Sequence, residues 1–224
     1  MAEKDNKNES NSYEQLKNMG SVVLSNNSKI FCLTIIGEIE GHMVLSEQTK
    51  TTKYEHVIPQ LVDIEENPEI KGLLIILNTV GGDVEAGLAI AELISGMKKP
   101  TVSLVLGGGH SIGVPLAVSS DYSFIAESAT MTVHPVRMNG LVIGVPQMLN
   151  HFQRMQERIT DFVVKNSSVT KEKFNSLLMH TGDMVTDIGT VLDGKSAVAN
   201  GIINSLGTLS DALDKLYEMI DSEV

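Results

Sequence analysis

Two unbroken apolar runs, each leading into a glycine-rich loop, constrain the fold of this chain most strongly. Residues 73–78 read LLIILN and residues 101–106 read TVSLVL. Runs of aliphatic and β-branched residues without polar alternation are typical of strands buried on both faces, as in a parallel sheet. Between the runs, Asp83 is placed to cap a helix whose apolar residues recur at helical spacing: Ala86, Ile90, Leu93 and Met97. This alternation of strand and helix predicts an α/β fold with right-handed crossovers onto a mostly parallel sheet.

The remaining pattern predicts one large domain over residues 25–224 and a disordered polar tail over residues 1–24. The other predicted strands are Lys29–Ile36, Ser123–Ala126 and Met131–Val133, and the other predicted helices are Thr51–Glu65, Pro146–Lys165, Thr170–Met179, Gly194–Asn200 and Thr208–Asp221. The helix over 146–165 carries an apolar stripe that suits either the core or a second subunit.

Composition excludes several classes of function. With 17 basic and 28 acidic residues, the formal net charge is −11, which argues against nucleic acid as a partner. The single cysteine, Cys32, cannot form an internal disulfide. Residues 1–20 lack the apolar core typical of a signal peptide, and no 18 apolar residues run together. We therefore expect a cytoplasmic protein. The six histidines are scattered without an HExxH motif, so we expect neither a metal nor a cofactor.

The segment after residue 106 holds a candidate nucleophile and a candidate base. Three glycines precede His110 and Ser111, so the chain leaves the strand through a flexible turn and places Ser111 at a helix N-terminus. A following pair of short strands then delivers His134. A serine hydroxyl needs a histidine within hydrogen-bond reach to become nucleophilic, so this pairing indicates a hydrolase site. The alternative is a capping serine and a loop histidine.

Loops that leave the carboxyl ends of neighbouring parallel strands meet at one edge of the sheet. This places Gly81 or Gly82 near Ser111, where their backbone N–H groups and that of Ile112 would form an oxyanion hole. Residues 137–145, RMNGLVIGV, form a glycine-interrupted apolar segment. It suits either pairing with an extended peptide or a plain loop.

Four segments together resemble the Clp protease proteolytic subunit family, within the ClpP/crotonase superfamily, and most closely its branch of translocation-enhancing proteins. They are NTVGGDVEAGLAIAELI (78–94), LGGGHSIGVPLAV (106–118), SATMTVHPV (128–136) and GKSAVANGIIN (194–204). The resemblance implies repeated ββα/βαβ units, a mostly parallel sheet and a protruding handle helix.

The same resemblance implies a serine endopeptidase that cleaves peptides or unfolded proteins, with or without an ATPase. Ser111 would be the nucleophile and His134 the general base. Counting back from GIIN without a gap puts Gly189 at the family's aspartate position, whereas a two-residue insertion restores Asp187. The orienting acid would therefore be Asp187, with Asp183 as second choice. The resemblance also implies homo-oligomeric rings, a possible AAA+ ATPase or secretion-machinery partner, and peptide binding along the segment Met138, Asn139, Gly140, Leu141 and Val142.

Three other functions fit parts of the pattern. Gly109–Gly113 matches the GxSxG motif of α/β-hydrolases, with Asp161 and His180 as acid and base, but too few strands are visible for that fold. A crotonase-type acyl-CoA enzyme would use the same glycine and isoleucine N–H groups without a triad. A catalytically silent ring protein would keep the fold and bind peptides or secretory partners.

Overall fold

The structure is a computed structural model that describes residues 22–23, 29–138, 143–182 and 188–222. Its strands are β1 (Val22–Val23), β2 (Ile30–Glu40), β3 (Thr51–Lys53), β4 (Gly72–Gly82), β5 (Thr101–Gly109), β6 (Tyr122–Ile125), β7 (Thr130–Val133), β8 (Thr190–Asp193) and β9 (Ser205–Leu206). Its helices are α1 (Tyr54–Glu66), α2 (Val84–Ser95), α3 (Gly113–Val118), α4 (Val145–Lys165), α5 (Lys171–Leu178), α6 (Gly194–Ala199) and α7 (Leu209–Ser222).

Parallel strands make up most of the sheet, in the order β1-β2-β4-β5-β6-β9. Every pair in this series is parallel except β1 and β2. The short strand β3 pairs parallel with β2, while β7 pairs parallel with the end of β5 and antiparallel with β8. The predicted α/β architecture with a mostly parallel sheet is confirmed.

The central strands are buried on both faces, as their unbroken apolar sequences predict. Leu73, Ile75 and Leu77 belong to the larger core, which lies under helices α1 to α6. Leu74 and Val102 face the other way, into a smaller core covered by α7. Because side chains alternate along a strand, neighbouring residues of β4 such as Leu73 and Leu74 enter different cores.

Helix α4 is the protruding handle helix. Its buried residues, Thr160, Phe162 and Val163, all lie toward its C-terminal end, while Val145 and Leu149 near the start are exposed. Its sequence is strongly amphipathic, because apolar residues recur at spacings of 4, 3, 4 and 3: Met148, Phe152, Met155, Ile159 and Phe162. The predicted helix over 146–165 is therefore confirmed, and only its last turns are anchored to the domain.

Helices α2 and α5 each begin with a side-chain cap, and the cap by Asp83 was predicted. Asp83 accepts a hydrogen bond from the Ala86 N–H at 2.8 Å and so caps α2. Thr170 accepts from the Lys173 N–H at 3.2 Å and caps α5. These bonds satisfy N–H groups that the first helical turn leaves without partners.

The predicted helix over 51–65 begins too early. Thr51–Lys53 forms β3, paired in parallel register with Glu38–Glu40, and helix α1 starts at Tyr54. The partner strand β2 also continues to Glu40 instead of ending at Ile36. It passes through Gly37, which has φ of +82° and marks a register shift against β4. Among the described residues, no helix combines the length and apolarity needed to cross a membrane.

Candidate active site

Ser111 lies at a sharp turn between β5 and α3. Its φ is +57°, a left-handed conformation that costs a residue other than glycine about 1–2 kcal/mol. The Ser111 N–H donates to the Thr132 carbonyl oxygen at 2.9 Å, and the Ser111 carbonyl accepts from the Val114 N–H at 3.0 Å. Strain of this kind persists where surrounding contacts over-determine it, and such positions cluster at functional sites.

Helix α3 provides a weaker dipole next to Ser111 than its position suggests. It spans only six residues, Gly113–Val118. A helix this short has a weak dipole, so the backbone turn itself, and not a long helix, presents the serine.

One cavity of about 160 Å³ is lined by both Ser111 and His134. Gly82 and Ile112 border the same space. Apolar side chains form most of the remaining wall: Val84, Val114, Val133, Ile159, Phe174 and Leu178. The structure therefore brings the predicted nucleophile and base to one cavity with a mostly apolar lining.

His134 follows directly after β7, and its ring is oriented by main chain. Its Nδ1 lies 2.7 Å from the Pro135 carbonyl oxygen. A carbonyl oxygen only accepts hydrogen bonds, so this contact assigns the proton of the neutral imidazole to Nδ1. Nε2 is then the proton acceptor, as a general base requires.

A second histidine lies directly beside the nucleophile. His110 Nδ1 is 2.9 Å from Thr132 Oγ1, and the ring is half-buried. Burial lowers the pKa of His110, and the neighbouring positive charge that His134 can carry lowers this pKa further. His110 therefore favours its neutral form next to the serine.

The two glycines before α2 have different roles. The Gly81 N–H donates to Thr79 Oγ1 at 3.0 Å, and Gly81 does not line the cavity. The Gly81 N–H is therefore already engaged in this structure, and of the predicted oxyanion-hole residues only Gly82 and Ile112 border the cavity. Instead, Gly81 permits close packing, since a Cβ there would lie 2.7 Å from the Ser111 Cβ.

Strand β8 brings a glycine against the candidate base. Thr190 is paired with Val133, and Gly189 precedes it with φ of +139°. A Cβ at Gly189 would lie 2.8 Å from the His134 Cβ and 2.6 Å from the Val133 carbonyl oxygen. A side chain at Gly189 would require the base or its strand to shift. Position 189, which the ungapped alignment matches to the family's aspartate, therefore has no room for an acidic side chain in this structure.

Several predicted site residues lie outside the described residues. These are the two candidate acids, Asp183 and Asp187, and four residues of the predicted peptide-binding segment, Asn139, Gly140, Leu141 and Val142. Met138, the first residue of that segment, is exposed. The residues that flank 183–187 in the sequence pair with each other: Thr181 forms an antiparallel bridge with Ile188, and the Gly189 N–H donates to the His180 carbonyl oxygen.

Thr132 is a site residue that the sequence pattern did not reveal. Its carbonyl contacts Ser111 and its hydroxyl contacts His110. The available signal was its place in TMTV, where a polar residue alternates with the buried Met131 and Val133 two positions before His134. The acid and base of the hydrolase alternative do not join this site, since Asp161 pairs with Lys171 and neither Asp161 nor His180 lines the cavity.

Comparison with known proteins places the chain in a family. The family model described as Clp protease matches residues 27–209. The chain is 60% identical over 196 residues to translocation-enhancing protein TepA of Halalkalibacterium halodurans, covering 88% of this chain and 77% of that protein. It is 26% identical over 187 residues to an ATP-dependent Clp protease proteolytic subunit of Leuconostoc citreum, covering 78% of this chain and 81% of that one. The chain therefore belongs to the Clp protease family.

Proposed function

We propose that this protein is a serine endopeptidase that hydrolyses peptides or unfolded proteins, with Ser111 as nucleophile and His134 as general base. The observation that supports this proposal most directly is the shared cavity. Ser111, on a strained turn, and His134, whose accepting nitrogen is Nε2, border the same space. Membership of the Clp protease family supports this reaction class.

In the proposed reaction, Ser111 Oγ attacks the scissile carbonyl carbon while its proton passes to His134 Nε2. The carbonyl oxygen becomes an oxyanion, which the N–H groups of Gly82 and Ile112 stabilise. Imidazolium then protonates the leaving amine, and the C–N bond breaks to give an acyl-enzyme. Water attacks the ester with His134 again as base, releasing the acid and restoring the Ser111 hydroxyl.

We further propose Asp187 as the acid that supports His134, with Asp183 as second choice. Asp187 immediately precedes Ile188, which bridges to Thr181, and Gly189 two residues later contacts His134. The Pro135 carbonyl already orients the ring at Nδ1. We therefore expect a smaller loss on Asp187→Asn than the roughly 10⁴-fold loss in trypsin-type triads.

The proposal is tested with a fluorophosphonate serine probe and a fluorogenic peptide. Ser111→Ala should abolish labelling and hydrolysis, since it removes the nucleophilic oxygen. Ser128→Ala, an exposed serine outside the cavity, is the matched control and should label like the native protein. Label retained after Ser111→Ala, or a native protein that never labels, would contradict the proposal.

We also propose that the peptide lies extended beside Met138–Val142, and that the chain assembles into homo-oligomeric rings in the cytoplasm. Exposed apolar side chains at the start of the handle helix, Ile143, Val145 and Leu149, support a subunit contact there. The names of the two relatives support either an ATPase partner or a link to protein translocation.

A catalytically silent peptide-binding ring protein is the second candidate. It is favoured by Gly189, which occupies the place beside His134 where the ungapped alignment expects an acid. A correctly folded native protein that binds peptide without reacting with the probe would identify this function.

A further inference from the structure

We propose that Thr132 and His110 form a clamp that positions the nucleophile, so that the Thr132 hydroxyl sets the reactivity of Ser111. The inference rests on the proposed peptidase function and adds a positioning residue to it. Thr132 itself is not a catalytic group, because it acts through Ser111 and His110.

The clamp holds the turn at consecutive residues. The Thr132 carbonyl accepts from the Ser111 N–H at 2.9 Å, and Thr132 Oγ1 lies 2.9 Å from His110 Nδ1. The backbone of His110 is also fixed, since its N–H donates to the Thr79 carbonyl at 3.1 Å and its carbonyl accepts from the Gly113 N–H at 2.8 Å. One strand residue therefore contacts both residues of the turn.

The strained backbone explains why such a clamp is needed. Ser111 has a φ of +57°, and residues other than glycine relax from this region unless neighbouring contacts prevent it. Gly81 blocks one direction of relaxation, since it packs against the Ser111 side chain. The contact between Thr132 and the His110 side chain restrains the residue that directly precedes Ser111 in the turn.

The position of Thr132 on β7 connects the clamp to His134, the proposed base. His134 follows β7 and lies two residues after Thr132. A contact that fixes Ser111 to this strand therefore also fixes it relative to the base. A displacement of about 1 Å between reacting groups can reduce a rate by about 100-fold.

The test compares four variants of the full chain. Thr132→Val keeps the shape but removes the hydroxyl, and Thr132→Ser restores it. Thr130→Val is the matched control, because Thr130 lies two residues earlier on the same face of β7 with similar exposure. Thr132→Ala provides a smaller replacement in case valine prevents folding.

We expect Thr132→Val to slow fluorophosphonate labelling and to lower kcat by about 10- to 100-fold, with KM unchanged. Thr132→Ser should recover most of the rate, and Thr130→Val should keep it. A merely structural role would lower stability without this split between kcat and KM. Native labelling rates in both Thr132→Val and Thr132→Ala would overturn the proposal, as would failure of serine to rescue.

A measurement independent of activity separates this inference from the proposed function. In ¹⁵N-histidine spectra, Thr132→Val should shift the His110 Nδ1 signal, and Thr130→Val should not. A native protein that never labels would overturn the peptidase function, and the role in reactivity with it. An unchanged His110 signal in Thr132→Val would overturn the clamp itself, whatever the activity.

Discussion

At the scale of single residues, the most unusual group in the site is the neutral histidine beside the serine. His110 has a lowered pKa, first because it is half-buried and then because His134 can carry a positive charge nearby. A protonated His110 would also disfavour the imidazolium that His134 forms during the proposed reaction. Keeping His110 neutral therefore assists its neighbour.

This lowered pKa predicts a pH dependence of stability. Unfolded histidine binds a proton below about pH 6.5, whereas folded His110 does so only at lower pH. In that window the unfolded state binds more protons, so the native protein loses stability as pH falls. We expect the stability of the native protein relative to His110→Gln to decrease between pH 7.5 and 5.5.

Urea unfolding midpoints at the two pH values provide the measurement. The midpoint should fall more steeply in the native protein than in His110→Gln. Equal changes in both proteins would show that His110 does not contribute to the pH dependence.

The sequence was sufficient to predict that Ser111 and His134 come together, but not how neighbouring residues hold them. Parallel strands bring their carboxyl-end loops to one edge, so the pairing of the two residues follows from the order of elements. The hydrogen bond from Gly81 to Thr79 and the contacts of Thr132 depend on how side chains are oriented across strands. No local periodicity encodes these orientations.

At the scale of elements, the antiparallel pairing of β7 with β8 determines what surrounds the base. Val133 is opposite Thr190, so Gly189 is held against His134. Strand β7 was predicted from its β-branched residues, whereas β8 was not predicted. The two-residue uncertainty in aligning the acid was not resolvable, because the segment before β8 has no regular pattern.

Replacing Gly189 by alanine tests this contact, with Gly182→Ala as the matched control. Both glycines have positive φ, +139° and +129°, so both substitutions introduce backbone strain of about 1–3 kcal/mol. A Cβ at Gly182 has nothing within 4 Å, whereas one at Gly189 strikes His134 and Val133. We expect Gly189→Ala to lose about 1–3 kcal/mol more in urea unfolding and to label more slowly with the fluorophosphonate probe.

Equal losses of stability in the two alanine variants, with native labelling rates in both, would contradict the close approach of Gly189 to His134. The control matters because it introduces the same type of strain in the same stretch of chain.

At the scale of the whole molecule, one sheet is stabilised by two cores of unequal size. Leu216 and Ile220 of α7 lie directly over β4, where a Cβ at Gly72 would come within 2.9 Å of the Leu216 Cδ1. The amphipathic pattern of this helix was predictable from the sequence. Which face of the sheet it covers was not, since both faces of the central strands are apolar.

Leu216→Ala should destabilise the protein by about 2–5 kcal/mol, because it leaves a cavity in the smaller core. Leu216 is fully buried, with a relative exposure of 0%. Asp214→Ala on the exposed face of the same helix is the control and should change stability by less than about 0.5 kcal/mol. Thermal or urea unfolding measures both, and a loss below 1 kcal/mol for Leu216→Ala would contradict a tightly packed second core.

The late position of α7 in the chain has a consequence for biosynthesis. This helix follows all nine described strands, yet it covers the apolar residues of β4 and β5 that are translated more than a hundred residues earlier. One side of the nascent sheet therefore stays bare on the ribosome until residues 209–222 emerge. During that interval it resembles the surfaces that chaperones capture, and premature release would favour aggregation over completion of the fold.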